Sequence, residues 1–237
     1  MIDAAAAIRL SLESALVATL LGLPLAVALG YALARVPFRG KAIVSAAVVG
    51  PLVLPPVVTG LLLLRLLGRQ APLGRLLDAV GLPVPFTLLG VIIAALVVGL
   101  PLFVAAARGA FEAIDPRYEE VSWTLGVSPW RTFLTVTLPL ALPGLLAGAV
   151  LAFARALGEF GATVVLAGNM EGKTRTIALA VYALLDLPEG DAAMEELVGV
   201  SLLLALGAMV GYEALSRWQR RRLELDRVDQ GAGRAAR

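Results

Sequence analysis

Cysteine and histidine are both absent from this 237-residue chain. Without cysteine there is no disulfide, no thiolate nucleophile and no thiolate metal site. Without histidine the commonest general base and metal ligand is missing. Charge is scarce too: Asp, Glu, Lys and Arg make up 16% of the residues, against roughly 25% in a typical soluble domain. No Gly-x-x-x-x-Gly-Lys-[Ser/Thr] run occurs, so no loop is expected to cradle nucleotide phosphates. These absences predict a chain that is not an enzyme on its own and holds no metal or cofactor. A net charge of +2 gives no argument for nucleic acid as a partner.

What is present is apolar surface. Hydrophobic residues are 59% of the chain and mean hydropathy is +0.87. A soluble protein of this size would have to expose large apolar patches, which is rare. The solvent for much of this chain is therefore expected to be lipid. Helices that span a bilayer need about 20 mostly apolar residues. Five stretches qualify, at about Ser14–Ala34, Ala42–Leu64, Thr87–Ala107, Val136–Leu157 and Leu197–Leu215. Thr176–Leu187 is too short to cross. The start, "MIDAAAAIRLSLES", lacks the basic region and short apolar core of a cleavable leader.

Backbone groups in lipid must be satisfied internally, so these spans are helices. Pro24, Pro51, Pro55, Pro56, Pro101 and Pro143 fall within them. Such prolines fit either bent helices around a pathway or ordinary membrane-helix enrichment. At Pro55-Pro56 the adjacent pair points to a deliberate break.

Basic residues set the orientation. Arg35–Lys41 carries three, the tail after Leu215 seven, and the loop between spans three and four carries Arg108, Arg117 and Arg131, out of 20 in all. Five spans place these segments on one side, the cytoplasm, with the N-terminus outside. Asp186, Glu189, Asp191, Glu195 and Glu196 then lie near the outer face. A sixth span would put the arginine-rich tail outside, and is rejected for that reason. The expected organisation is a single domain over 1–237, with a core at about 12–215, a cytoplasmic loop at about 108–135 and a disordered basic tail at about 223–237.

The loop is the most informative segment. From Glu119 to Pro139 it reads "EEVSWTLGVSPWRTFLTVTLP". A short helix is expected to end at Gly126 in a left-handed turn. Ser128 then stands at the N-cap and Pro129 at the first position of a second helix. Val121, Trp123, Leu125 and Trp130 give the loop apolar surface to bury against a partner.

This spacing resembles the coupling loop of ABC importer permeases: Glu-Ala-Ala, three residues, Gly, nine residues, then Ile-x-Leu-Pro. Glu120 starts the pattern, directly after Glu119. Gly126 holds the glycine place, and Val136, Leu138 and Pro139 complete it. The departures are Val121 and Ser122 at the alanine places and valine at 136. "GPLVLPPVVTG" (Gly50–Gly60), "LPLALPGLLAGAVLAFARALGEFGATVVLAGN" (Leu138–Asn169) and "TRTIALAVYALL" (Thr174–Leu185) extend the resemblance to molybdate permease subunits of that family. Sulfate and tungstate permeases share the Glu-Phe-Gly-Ala run and remain alternatives. An ion-gradient-driven secondary transporter is a further one, but no inverted repeat supports it.

The resemblance implies an all-α, five-span chain with the type I ABC importer permease fold, in the inner membrane of a bacterium. It implies a homodimer around one pathway, two ATPase subunits that bind ATP and Mg, and a periplasmic or lipid-anchored substrate-binding protein. Membrane lipid completes the partners; nucleic acid is not among them.

Arg155 and Glu159 are four residues apart and share a helix face at membrane depth. They either line the pathway or form a structural ion pair, and the second reading is favoured. For Gly158 and Gly161, close helix packing is the favoured role. Arg65, Arg69 and Arg75 near the outer face either meet acidic groups of a binding protein or are simply solvated.

Overall fold

A computed structural model describes the backbone of residues 3–185 and 191–235, and side chains for 3–185 and 192–220. Among the described residues the regular structure is helical. The helices are α1 (Ala4–Arg35), α2 (Lys41–Val53), α3 (Pro56–Leu67), α4 (Pro72–Ala79), α5 (Leu88–Glu112), α6 (Arg117–Thr124) and α7 (Pro129–Thr132). After a π-helical turn at Phe133–Thr137 follow α8 (Leu138–Leu157), α9 (Gly161–Leu166), α10 (Ile177–Leu184) and α11 (Asp191–Ala235).

Among the described residues four stretches are long and apolar enough to cross a membrane unbroken: Ala4–Arg35, Leu88–Glu112, Pro129–Leu157 and Ala192–Arg220. The fifth expected span is not one helix. It is the pair α2 and α3, bent by 114° at Leu54-Pro55. The expected break at the two prolines is therefore present. Pro55 supplies no N–H, and Pro56 sits where a helix can begin but not continue.

Other boundaries shift in the same direction. α1 begins ten residues before the expected Ser14, because Asp3 caps it by accepting from Ala6 N at 3.0 Å. Its 32 residues extend about 48 Å, well beyond a hydrocarbon core of about 30 Å. Span four starts at Pro129 rather than Val136. Where a disordered tail was expected from 223, the α11 backbone stays helical to Ala235. Arginine, leucine and glutamate dominate residues 220–225, and all are good helix formers. Residues 236 and 237 lie outside the described ones, as do Asp186 and Glu189.

Packing centres on α5, whose apolar window is 50% buried, the largest share of the four unbroken spans among the described residues. α1 runs along it, and glycine makes the approach possible. A Cβ at Gly30 would lie 2.7 Å from Ala107 Cβ and 2.9 Å from Arg108 N. Overpacking such a contact costs about 1–3 kcal/mol. Gly30→Ala should therefore lower the thermal midpoint in detergent by several degrees. Gly50→Ala, at a site with nothing within 4 Å, should leave it unchanged or raise it. Equal midpoints for the two variants would count against this packing.

One core cluster joins Ala26 and Leu33 of α1, Phe103 to Phe111 of α5 and Leu145 of α8, with Val44 and Val48 of α2 against it. A second joins Leu67 of α3, Ala94 and Val98 of α5, and Ala162 and Leu166 of α9. The two lie at opposite ends of α5. α2 thus packs in the half nearest the α6–α7 loop and α3 in the far half, with their break between. The short α10 is buried at Ile177, Leu179, Ala180 and Leu184 and packs on Ala7 and Leu197. It is an internal element, in keeping with its rejection as a span. α11 is different: only 6% of its apolar window is buried.

Candidate functional site: an exposed apolar turn and two facing helix breaks

The α6–α7 turn forms from local chemistry. Asp115 Oδ1 accepts from Arg117 N at the start of α6. At the other end Gly126 takes φ +79°, the left-handed conformation that glycine adopts without penalty. Gly126 N then donates to Trp123 O and Val127 N to Ser122 O, closing the end of α6. Ser128 occupies the N-cap of α7 and Pro129 its first position, but the Ser128 hydroxyl makes no capping bond. Thr132 N reaches the Ser128 carbonyl instead, at 2.8 Å.

The two faces of α6 differ. Glu119 (6% exposed) and Ser122 turn into the body. Glu120, Val121, Trp123, Leu125 and Gly126 face outward, with Leu125 77% exposed. Trp130 is also 69% exposed, its ring stacked on Phe133 at 5.7 Å. Behind it Tyr31, Phe111 and Phe133 meet edge to face or tilted, at 4.9–6.2 Å. Val136 and Leu138 are half-buried and Pro139 exposed at the entry to α8. Of the loop residues chosen from sequence, Glu120, Val121, Leu125 and Gly126 share the exposed side of the turn, Glu119 and Ser122 belong to its buried side, and Val136, Leu138 and Pro139 lie further on, at the entry to α8.

The second feature is the break between α8 and α9. α8 stops at Leu157 and α9 starts at Gly161. Glu159 sits in the gap, 2% exposed. Its Oε1 accepts from Ala162 N at 2.7 Å, and its Oε2 pairs with Arg155 Nη2 at 2.9 Å. One carboxylate therefore caps α9 and neutralises Arg155, which keeps 27% of its side chain exposed. This break meets the α2–α3 break. A Cβ at Gly161 would come within 2.9 Å of Pro56 Cβ, and one at Gly60 within 2.7 Å of Ala162 O. The sequence contained Pro55, Pro56, Arg155 and Glu159, but nothing in it showed that the two breaks touch.

Three further details were not foreseen. Thr59 and Thr163 carry buried hydroxyls without a hydrogen-bond partner. The run Gly168–Thr174, "GNMEGKT", is one residue short of the phosphate-loop spacing. Its backbone is used internally: Lys173, Thr174 and Arg175 N–H groups all converge on the Met170 carbonyl, and Thr174 Oγ1 accepts from Met170 N. On the far face, Arg69 pairs loosely with Asp78 at 3.8 Å.

Membrane-length helices, broken spans and an exposed apolar turn make this a multi-pass membrane protein. The chain belongs to the family of binding-protein-dependent transport system inner membrane components, whose pattern matches residues 22–221. It is 44% identical over 217 residues to the molybdenum transport system permease protein ModB of Escherichia coli (strain K12), covering 91% of this chain and 95% of that protein. A probable sulfate transport system permease protein of Chlorokybus atmophyticus is 35% identical, covering 83% of this chain and 70% of that one. The fold is similar to a chain of the MetNI methionine ABC transporter in an inward-facing conformation. That likeness has a TM-score of 0.64 and 17% identity and covers 91% of this chain and 94% of that one. The architecture is that of a type I ABC importer permease.

Proposed function

We propose that this chain is the membrane-spanning permease subunit of an ATP-driven molybdate importer. The observation that carries the reading is the exposed apolar turn at Val121–Trp130 on a chain 44% identical to a molybdenum permease along nearly its whole length. Identity to the sulfate permease is lower and covers less, which favours molybdate as cargo.

Two copies would enclose the pathway, and the uncovered apolar surface of α11 is consistent with burial against lipid or a second copy. The α6–α7 turn would lie in the cytoplasm and dock an ATPase subunit, one per copy, that binds ATP and Mg. A substrate-binding protein would deliver the anion at the opposite face. Closure of the ATPase pair would draw the two docking turns together, and the broken helices would switch access from one side to the other.

The test is uptake into proteoliposomes carrying the permease, its ATPase and its binding protein. Molybdate should accumulate only with ATP inside the ATPase compartment, competed by tungstate and weakly by sulfate. Accumulation driven by an ion gradient without ATP would overturn the reading. Leu125→Glu should abolish co-purification of the ATPase while membrane insertion is kept, because a charge at the centre of an apolar contact must be desolvated unpaired. Unchanged co-purification would place the docking surface elsewhere.

A further inference from the structure

The docking helix is fastened to the body by two buried hydrogen bonds that neither helix needs for its own formation. Ser122 Oγ lies 2.8 Å from Thr132 Oγ1. Thr137 Oγ1 donates to Glu119 Oε1 at 2.7 Å. All four side chains are buried. Glu119 and Ser122 are three apart on α6 and so share a face. Thr132 and Thr137 are five apart and bracket the π-helical turn Phe133–Thr137.

That spacing matters. In an α-helix five residues advance about 500°, leaving the two side chains roughly 140° apart. A π-turn, bonded i to i+5, brings them nearly above one another. Both threonines face α6 because the segment is π-helical. If the segment relaxed to α-helix, one of the two bonds would break. The π-turn and the two bonds therefore hold each other in place.

The chemistry is also costly for a purely structural joint. Glu119 is a buried carboxylate with no ion pair among the described residues, and an apolar pair would be cheaper there. From α1, Tyr31 lies within electrostatic reach of Glu119. Arg35 instead donates to the Ile114 carbonyl at 2.6 Å, with its Nε buried and unpartnered.

We infer that Glu119 and Thr137, seconded by Ser122 and Thr132, are positioning residues that make α6, the π-turn and the base of α8 one mechanical unit. Displacement of the docking helix then turns α8 instead of flexing the loop. The inference rests on the proposed ATPase-coupled function of the docking turn.

The test uses the full transporter in proteoliposomes and reads uptake per ATP hydrolysed. Thr137→Val keeps shape and loses the hydroxyl. It should keep ATPase binding and hydrolysis within about twofold and lower molybdate uptake per ATP about tenfold. Thr137→Ser should restore the ratio to within about twofold. Ser122→Ala removes the second bond while leaving Glu119 its own partner and should lower the ratio about threefold, which keeps the test readable if Thr137→Val inserts poorly. A wild-type ratio in both Thr137→Val and Ser122→Ala overturns the inference. So does a parallel fall in assembly, hydrolysis and uptake, which would mean packing alone. Failure of the broader function shows elsewhere, as wild-type chain that binds no ATPase or transports without ATP.

Discussion

Glu159→Ala should be the most destabilising single change at the helix breaks, costing about 3–5 kcal/mol. Two losses coincide. The Ala162 N–H, buried at the start of α9, loses its acceptor, and an unmade buried bond alone costs about 1–3 kcal/mol. Arg155 is left as an unpaired cation at membrane depth. For a chain of this length, about 2–4 °C per kcal/mol puts the fall in thermal midpoint near 10 °C. The measurement is a detergent melt followed by tryptophan fluorescence. Arg155→Gln should cost less, because Glu159 still accepts from Ala162, and the double variant Arg155→Gln/Glu159→Gln should recover much of the loss. A midpoint for Glu159→Ala within 2 °C of wild type would sink this account.

The same variants divide the two roles open for the pair. Arg155 retains partial exposure, whereas Glu159 is enclosed. If Arg155→Gln melts early and still transports, the pair is structural. If it melts normally and uptake collapses, the guanidinium lines the path of the anion. The geometry of Glu159, bonded on both oxygens, supports a structural role for the carboxylate in either case.

Much of this architecture was legible because lipid imposes a simple rule. Apolar length gave the spans, and the Pro55-Pro56 pair gave the break between α2 and α3. The turn was legible too: Gly126, Ser128 and Pro129 are local signals, and each governs only its neighbours. What escaped was tertiary. Hydropathy cannot show that a span turns by 114°, nor that Gly60 and Gly161 let α3 and α9 touch. Glu119 enters the sequence reading only as the neighbour of Glu120 in the loop pattern, and nothing in that pattern shows that it turns inward. Its inward position depends on Thr137, eighteen residues away, and on a π-turn whose sequence, "FLTVT", is indistinguishable from α-helix. The capped start of α1 was missed because apolar scanning ignores Asp3.

Gly126→Val should uncouple the transporter without unfolding it. No atom lies within 4 Å of the position a Cβ would take, so the penalty is not a clash. It is the φ of +79°, which costs an ordinary residue about 1–2 kcal/mol and is a true outlier for a β-branched one. The turn escapes the strain by abandoning the left-handed conformation, and the bond from Val127 N to Ser122 O goes with it. Leu125 and Trp130, on either side of the turn, then no longer present one surface. Because the turn is exposed, the melt should stay within a few degrees of wild type. Uptake should fall at least tenfold, the equivalent of about 1.4 kcal/mol. A graded series isolates the cause. Asparagine visits the left-handed region more readily than alanine, and alanine more readily than valine. Uptake should therefore rank Gly126 above Asn, Asn above Ala, and Ala above Val at this position. If asparagine is as damaging as valine, backbone strain is not the cause. If valine transports like wild type, the turn is not what joins the two halves of the proposed docking surface.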